Sequence, residues 1–252
     1  MPGYGQFCPI AKAAEILSER WTLLILRDLL HGSRHFNELR RGVPRMSPTL
    51  LTKRLQMLVE HGIITRERVE GSQGCEYRLT RAGRELKPLI RFVGEWGQRW
   101  VRSTLSRDEL DPGALMWFIH RHFQRENLPA RRIVMYIEIT DVKRLRHWWL
   151  VIDNGDVDLC LEDPGHEIDL MLATDLLSLT RVYIGDRTIG DAIASGAIRV
   201  EGPRALTRTL PQWFARSKFA DIEPGVRDNH PSDASRKSAS DDPPDWLVVS
   251  RH

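Results

Sequence analysis

The chain has 252 residues, enough for two domains of ordinary size but few for three. With 41% hydrophobic and 28% charged residues, its composition is that of an ordinary globular protein and excludes collagenous and low-complexity classes. The net charge of +3 is unevenly spread: residues 1–104 carry 18 Lys and Arg against 10 Asp and Glu, and residues 105–252 carry 19 against 24. A basic first part beside an acidic remainder points to a polyanion partner for the first part alone. No apolar run has the length that crosses a bilayer, so no membrane insertion is expected. The start, Met1 to Pro9, lacks the basic and apolar stretches of a secretory leader. Cys8, Cys75 and Cys160 are too few and too scattered for a disulfide framework, and no pair has metal-ligand spacing. A reducing cytoplasm is the expected compartment, with no metal and no cofactor.

In chain order, Ile10–Leu17 reads as a short helix. Ser18 is a cap candidate for a second, Glu19 to Leu30, with Trp21, Leu24, Ile25 and Leu29 at helical spacing. Phe36–Arg41 forms a third, stopped by Gly42 and Pro44. The fourth starts with the strongest local signal in the chain. Ser47 can accept a bond from a free backbone N–H, Pro48 suits a first helical turn, and Gly62 provides the exit after His61. Two strand-like runs follow, Ile63–Val69 and Cys75–Leu79, joined by Glu70-Gly71-Ser72-Gln73-Gly74. From Thr80 to about Thr104 the pattern predicts a long helix, offset near Pro88. Its Leu89, Val93, Trp96 and Trp100 recur at alternating steps of three and four, a seam for a second helix.

Ser106 to Gly113 is a polar hinge, and the boundary between domains is placed there. Beyond it come a helix (Leu115–Phe123), four strands (Arg132–Thr140, Leu145–Asp153, Val157–Glu162, Glu167–Ala173) and a helix from Thr174-Asp175 to Tyr183. A shorter helix from Thr188 to Ser195, a strand from Gly196 to Gly202 and a last helix from Pro203 to about Phe214 complete it. Residues 221–252 are polar, rich in Pro and Ser and without periodicity, which predicts a disordered tail.

The fourth helix leaves one face over. On a wheel of about 100° per residue, Leu51, Leu55 and Leu58 form a buried stripe. Thr49, Lys53, Gln56 and Glu60 fall on the other side, with Thr52 on the flank. A solvated surface explains such a face. So does a reading surface, because Thr, Lys and Gln all bond base edges and a helix N-terminus attracts phosphate.

The order helix–helix–helix–hairpin is that of a winged helix-turn-helix. Cys8-Pro9-Ile10, Trp21-Thr22-Leu23, Phe36-Asn37-Glu38-Leu39, Leu51-Thr52, Gly62-Ile63-Ile64 and Tyr77-Arg78-Leu79-Thr80 stand in the register of the HxlR-type transcriptional regulators, relatives of the MarR group. The resemblance covers about residues 8–100. It implies a homodimer on double-stranded DNA, with Ser47 to Gln56 in the major groove. Residues 1–105 are then a DNA-binding and dimerisation domain. Ser47, Thr49, Thr52, Lys53 and Gln56 become base or groove contacts, and Arg40, Arg41, Arg45, Arg54, Arg68 and Arg78 phosphate contacts. Arg54 lies near the buried stripe and equally suits a structural ion pair. Leu89, Val93, Trp96 and Trp100 become the dimer seam. Cys8 matches a cysteine that some members use as a redox sensor, but no cationic residue is adjacent to activate its thiol; Lys12 is the nearest.

Residues 112–217 resemble the sterol-carrier-protein-like fold, most specifically from Asp175 to Leu210, where helix, Gly-Asp turn, Ile193-Ala194-Ser195-Gly196, strand and Gly202 follow in order. The fold class expected for the whole chain is therefore α+β: a winged helix, then a curved, mainly antiparallel sheet with helices, then the tail. That resemblance implies an apolar cavity for a small effector, with Trp117, Trp148, Leu172, Leu176, Tyr183 and Phe214 as lining candidates. The same large residues also suit a filled core. The leading expectation is a DNA-binding regulator modulated by a small apolar ligand. The alternative is a lipid carrier whose winged helix makes protein contacts. An enzyme is not expected, because no nucleophile elbow, phosphate loop or acid–base pair stands out.

Overall fold

A first core closes around α2 (Thr22–Leu30), α3 (Phe36–Gly42) and α4 (Pro48–Glu60) in the computed structural model, which describes residues 3–68, 74–101, 105, 109–223 and 225. Ile25, Leu26 and Leu29 from α2 meet Leu39 from α3 and Leu51, Leu55 and Leu58 from α4. Ser47 caps α4 as expected, its hydroxyl accepting the Leu50 N–H at 3.3 Å. The wing strands β1 (Ile64–Arg68) and β2 (Cys75–Leu79) pair antiparallel, Ile64 opposite Leu79. A bridge from His35 to Glu76 anchors β2 beside α3. Residues 69–73, which hold most of the expected flexible tip, lie outside the described residues, as do 102–104, 106–108 and nearly all of the expected disordered tail.

Two helical expectations need correction. The second helix begins at Thr22 rather than Glu19, because Trp21 is left-handed at φ 80°, a conformation a bulky side chain adopts only when its surroundings impose it. Ser18 does not cap it; its hydroxyl donates back to the Ala14 carbonyl at the end of α1 (Pro9–Leu17). The long helix from Thr80 is broken. α5 (Arg81–Glu85) stops at Leu86, α6 (Lys87–Trp96) restarts with Pro88 in its first turn, and a π-helical turn, Gly97–Val101, follows. Proline has no N–H to continue the ladder, so the break falls just before it.

The second domain opens with α7 (Pro112–Arg121), capped by Asp111. β3 (Ile133–Ile139), β4 (His147–Asp153), β5 (Asp156–Cys160), β6 (Leu170–Thr174) and β7 (Ile198–Glu201) form one sheet in the order β5-β4-β3-β6-β7. Only β3 and β6 pair parallel among these neighbours. Asn154 and Gly155 both take positive φ at the β4–β5 turn, the backbone twist a two-residue hairpin needs. α8 (Leu176–Ile184), α9 (Ile189–Ala194) and α10 (Arg204–Trp213) join α7 on one face of the sheet. Period-two alternation sorts the side chains: Ile133, Met135, Ile137, Trp148, Leu150 and Ile152 are buried with the helices. Tyr136 and Trp149 meet on the opposite face. Among the described residues no helix is long and apolar enough to cross a membrane.

The domains meet along α7. The Arg121 guanidinium donates to the Ser33 hydroxyl at 2.7 Å and to the His31 carbonyl, just past the end of α2. Arg27 lies 4.6 Å from the Phe118 ring, and the His31 and His122 rings meet edge to face at 5.4 Å. Farther along, Phe219 packs against the backbone of Gly94 in α6, where a methyl group would clash. Burial pulls three imidazoles of this joint well down: His31 and His120 to about 4 and His122 to about 3, against an ordinary 6.5. Below pH 6.5 the unfolded chain therefore takes up protons that the folded chain refuses, and stability falls as the pH drops toward 4. Urea midpoints are expected to decline steadily from pH 7 to pH 5, and His122→Phe is expected to flatten that decline.

Candidate nucleic-acid interface

α4 presents its polar side because its apolar side is fully committed. Leu51, Leu55 and Leu58 are 0–1% exposed, while Thr49, Thr52, Lys53 and Gln56 are all exposed. Two of these four are tied locally: the Thr52 hydroxyl donates to the Pro48 carbonyl at 3.0 Å, and the Gln56 amide donates to Glu60 at 3.1 Å. Lys53 and Thr49 make no side-chain hydrogen bond or ion pair with the described residues. No acidic residue occupies the first turn, so the partial positive charge of that helix end is uncompensated.

The expected phosphate contacts divide into groups. Arg40, Arg41 and Arg45 are exposed on α3 and the turn before α4, and Arg68 is exposed near the end of β1. Arg54 is different. Its guanidinium sits 2.8 Å from Glu19, with side-chain exposures of 13% and 20%, and it also reaches the Met57 sulfur. A carboxylate that close, with both side chains largely shielded from water, holds the arginine against α1–α2, so of the two roles open to Arg54 the ion pair is the one formed. Arg78 is also occupied, at 2.6 Å from Glu76 and 3.4 Å from Glu67. Strand alternation explains the split. Arg78 lies opposite Thr65 on the face that also carries the paired Glu67 and Glu76, whereas Arg66 and Arg68 share the face of Tyr77. Arg66 was missed in the sequence, although its i,i+2 spacing from Arg68 was the available signal. It is exposed, and contacts with Cys75 and Tyr77 favour its charge.

The seam residues are open to solvent: Leu89, Val93, Trp96 and Trp100 are 38%, 40%, 51% and 39% exposed, and Phe92 adds to them. Cys8 stands half-buried at the N-terminal end of α1. The expected ligand residues separate. Leu172 and Phe214 are each 1% exposed within the packed core, so they are structural and not pocket lining. Leu176 and Tyr183 touch other grooves of the surface, while Trp117 and Trp148 border a cleft between the domains.

The model of the HxlR-like helix-turn-helix family matches residues 16–105. The uncharacterized HTH-type transcriptional regulator YvaP of Bacillus subtilis (strain 168) is 36% identical over 98 residues, which span 38% of this chain and 91% of YvaP. The chain belongs to the HxlR-like helix-turn-helix family. A second relative of this family member, the uncharacterized HTH-type transcriptional regulator sll1512 of Synechocystis sp., is 37% identical over 100 residues, 39% of this chain and 74% of its own length. Among solved structures, the redox regulator HypR in its reduced form is 30% identical, with a TM-score of 0.35 over 36% of this chain and 91% of that one.

The two classes of arginine are separable by measurement. Arg54→Gln is expected to cost about 1–3 kcal/mol in denaturant unfolding, the usual range for a lost charge-assisted bond, and to leave the salt slope of DNA affinity unchanged. Arg40→Gln is expected to leave unfolding unchanged and to lower that slope by about one.

Proposed function

We propose that this chain is a sequence-specific transcriptional regulator that binds double-stranded DNA as a homodimer. The observation that carries the reading is α4 itself: three leucines clamp it to the core, a serine caps it, and its exposed polar face presents Lys53 and Thr49, without side-chain partners among the described residues, beside exposed arginines. A helix held this way docks in a major groove with its N-terminal residues on base edges and its flanking cations on phosphates. The relatives named HTH-type transcriptional regulators support the same reading.

Dimerisation is proposed through Leu89, Val93, Trp96 and Trp100, because aromatic and aliphatic side chains along one helix are costly to leave in water. The second domain, residues 112–217, is proposed to be sterol-carrier-protein-like and to bind a small effector. Its mainly antiparallel five-stranded sheet with helices on one face supports this. Effector control requires the ligand to prefer one DNA-binding state over another.

The test is binding to the DNA upstream of the protein's own gene, compared with scrambled DNA of equal length. Lys53→Ala is expected to cost about 1–3 kcal/mol on the specific site and little on scrambled DNA, as for a base contact. Equal losses on both would make Lys53 a phosphate contact. No preference for the upstream DNA at low salt would overturn the regulator reading.

A further inference from the structure

The joint between the domains creates a feature that neither domain holds alone. α7 packs against α3, and between them opens a cleft of about 440 Å³. One wall is apolar and comes from the second domain: Trp117 from α7, Trp148 from β4, Leu159 from β5 and Leu161 just beyond it. The facing wall comes from the DNA-binding domain and carries Arg40 and Arg41. The Arg41 guanidinium stands 5.4 Å from the Trp117 ring, which fixes the charge at the edge of the apolar surface. Among the described residues neither Arg40 nor Arg41 has a carboxylate partner. The acid on the rim, Asp111, is engaged in capping α7, accepting the Ala114 N–H at 2.8 Å. Trp148 spends its indole N–H on the Leu145 carbonyl, whereas the Trp117 indole N–H is buried without a partner among the described residues.

We infer that this interdomain cleft is the effector site, and that it takes a small amphipathic carboxylate with its head group on Arg40 and Arg41 and its apolar part against Trp117, Trp148, Leu159 and Leu161. The size lies in the usual range for ligand sites, about 300–1,000 Å³, and the pairing of an apolar wall with few polar anchors is their usual chemistry. Guanidinium groups match a carboxylate through two parallel N–H donors. A neutral lipid would leave both arginines unpaired, and a DNA phosphate would leave Leu159 and Leu161, the water-accessible part of the apolar wall, uncovered. This inference deepens the effector reading above and moves the ligand from the interior of the second domain, where Leu172 and Phe214 fill the space, to its border. It also supplies a route of control. Arg40 and Arg41 are the phosphate candidates of α3, so a carboxylate that occupies them withdraws them from DNA. By linkage, DNA then weakens carboxylate binding by the same factor.

Decanoate and 1-decanol serve as probes, titrated by calorimetry into the full chain without DNA. Decanoate is expected to bind saturably, at least about tenfold tighter than the alcohol, the difference one charge-assisted contact makes. Arg40→Gln and Arg41→Gln are each expected to weaken decanoate about tenfold and to leave decanol unchanged. Leu161→Glu, an exposed rim position, is expected to weaken decanoate without touching either arginine. Saturating decanoate is then expected to reduce affinity for the upstream DNA, and Leu161→Glu to relieve that reduction. Absent saturable binding, equal affinity for acid and alcohol, or unchanged affinity in the three variants would each overturn the inference. Because ligand binding is read without DNA, these results stand apart from a failure of the regulator reading, which shows as a lack of preference for the upstream site.

Discussion

A guanidinium at the centre of the joint ties the two halves of this protein together. Arg121 leaves α7 and donates to the Ser33 hydroxyl and the His31 carbonyl, in the turn that follows α2. Burial disfavours its charge, and the nearby carboxylates of Asp28 and Glu38 restore part of what burial takes. The carbonyl it engages belongs to a chain end that α2 leaves without an intrahelical donor, so the bond serves both domains. With that bond in place α7 lies along α3, the Trp117 ring comes under Arg41, and the cleft takes its shape. The joint also explains why the histidines there stay neutral, since His31, His120 and His122 are buried among Arg27, Arg41, Arg121 and Lys218.

The same economy governs the DNA-binding domain. Asp28 is 1% exposed, and its own charge is disfavoured by burial, yet Arg27 holds it at 3.1 Å while also donating to the Gly42 carbonyl. The carboxylate fits only because Gly42 has no side chain. Thus α2, α3 and the joint share one small polar cluster, and α3 cannot shift without disturbing it. A rigid α3 keeps α4 and its polar face in a constant relation to Arg40 and Arg41. The proposed effector control needs that constancy, because a ligand on those two arginines would act on the polar face of α4 through α3.

Much of the fold was legible in the sequence. Ser47-Pro48 and Gly62 marked α4 to within a residue, because cap chemistry is local and the leucine stripe has one solution. The strands of the second domain were readable from alternation. What misled was also local. Ser18 looked like a cap, and nothing in the neighbouring residues announces that Trp21 turns left-handed instead. The offset near Pro88 was legible, but not the full break before it or the π-helical turn after Trp96, and the side that Gly94 turns to Phe219 is set by a residue far along the chain.

The sequence by itself determined the elements, their order and the chemistry of the polar face on α4, because periodicity, caps and charge are properties of short windows. It could not say which arginines are spent. For Arg54 it left groove contact and ion pair equally open, and only the fold brings Glu19 to within 2.8 Å of it; only strand register sets Arg78 between Glu67 and Glu76. Nor could it locate the cleft, whose walls come from segments far apart in the chain, Arg40 and Arg41 facing Trp117, Trp148, Leu159 and Leu161. Pairing of charges and enclosure of space depend on distances between distant segments, and packing alone decides those.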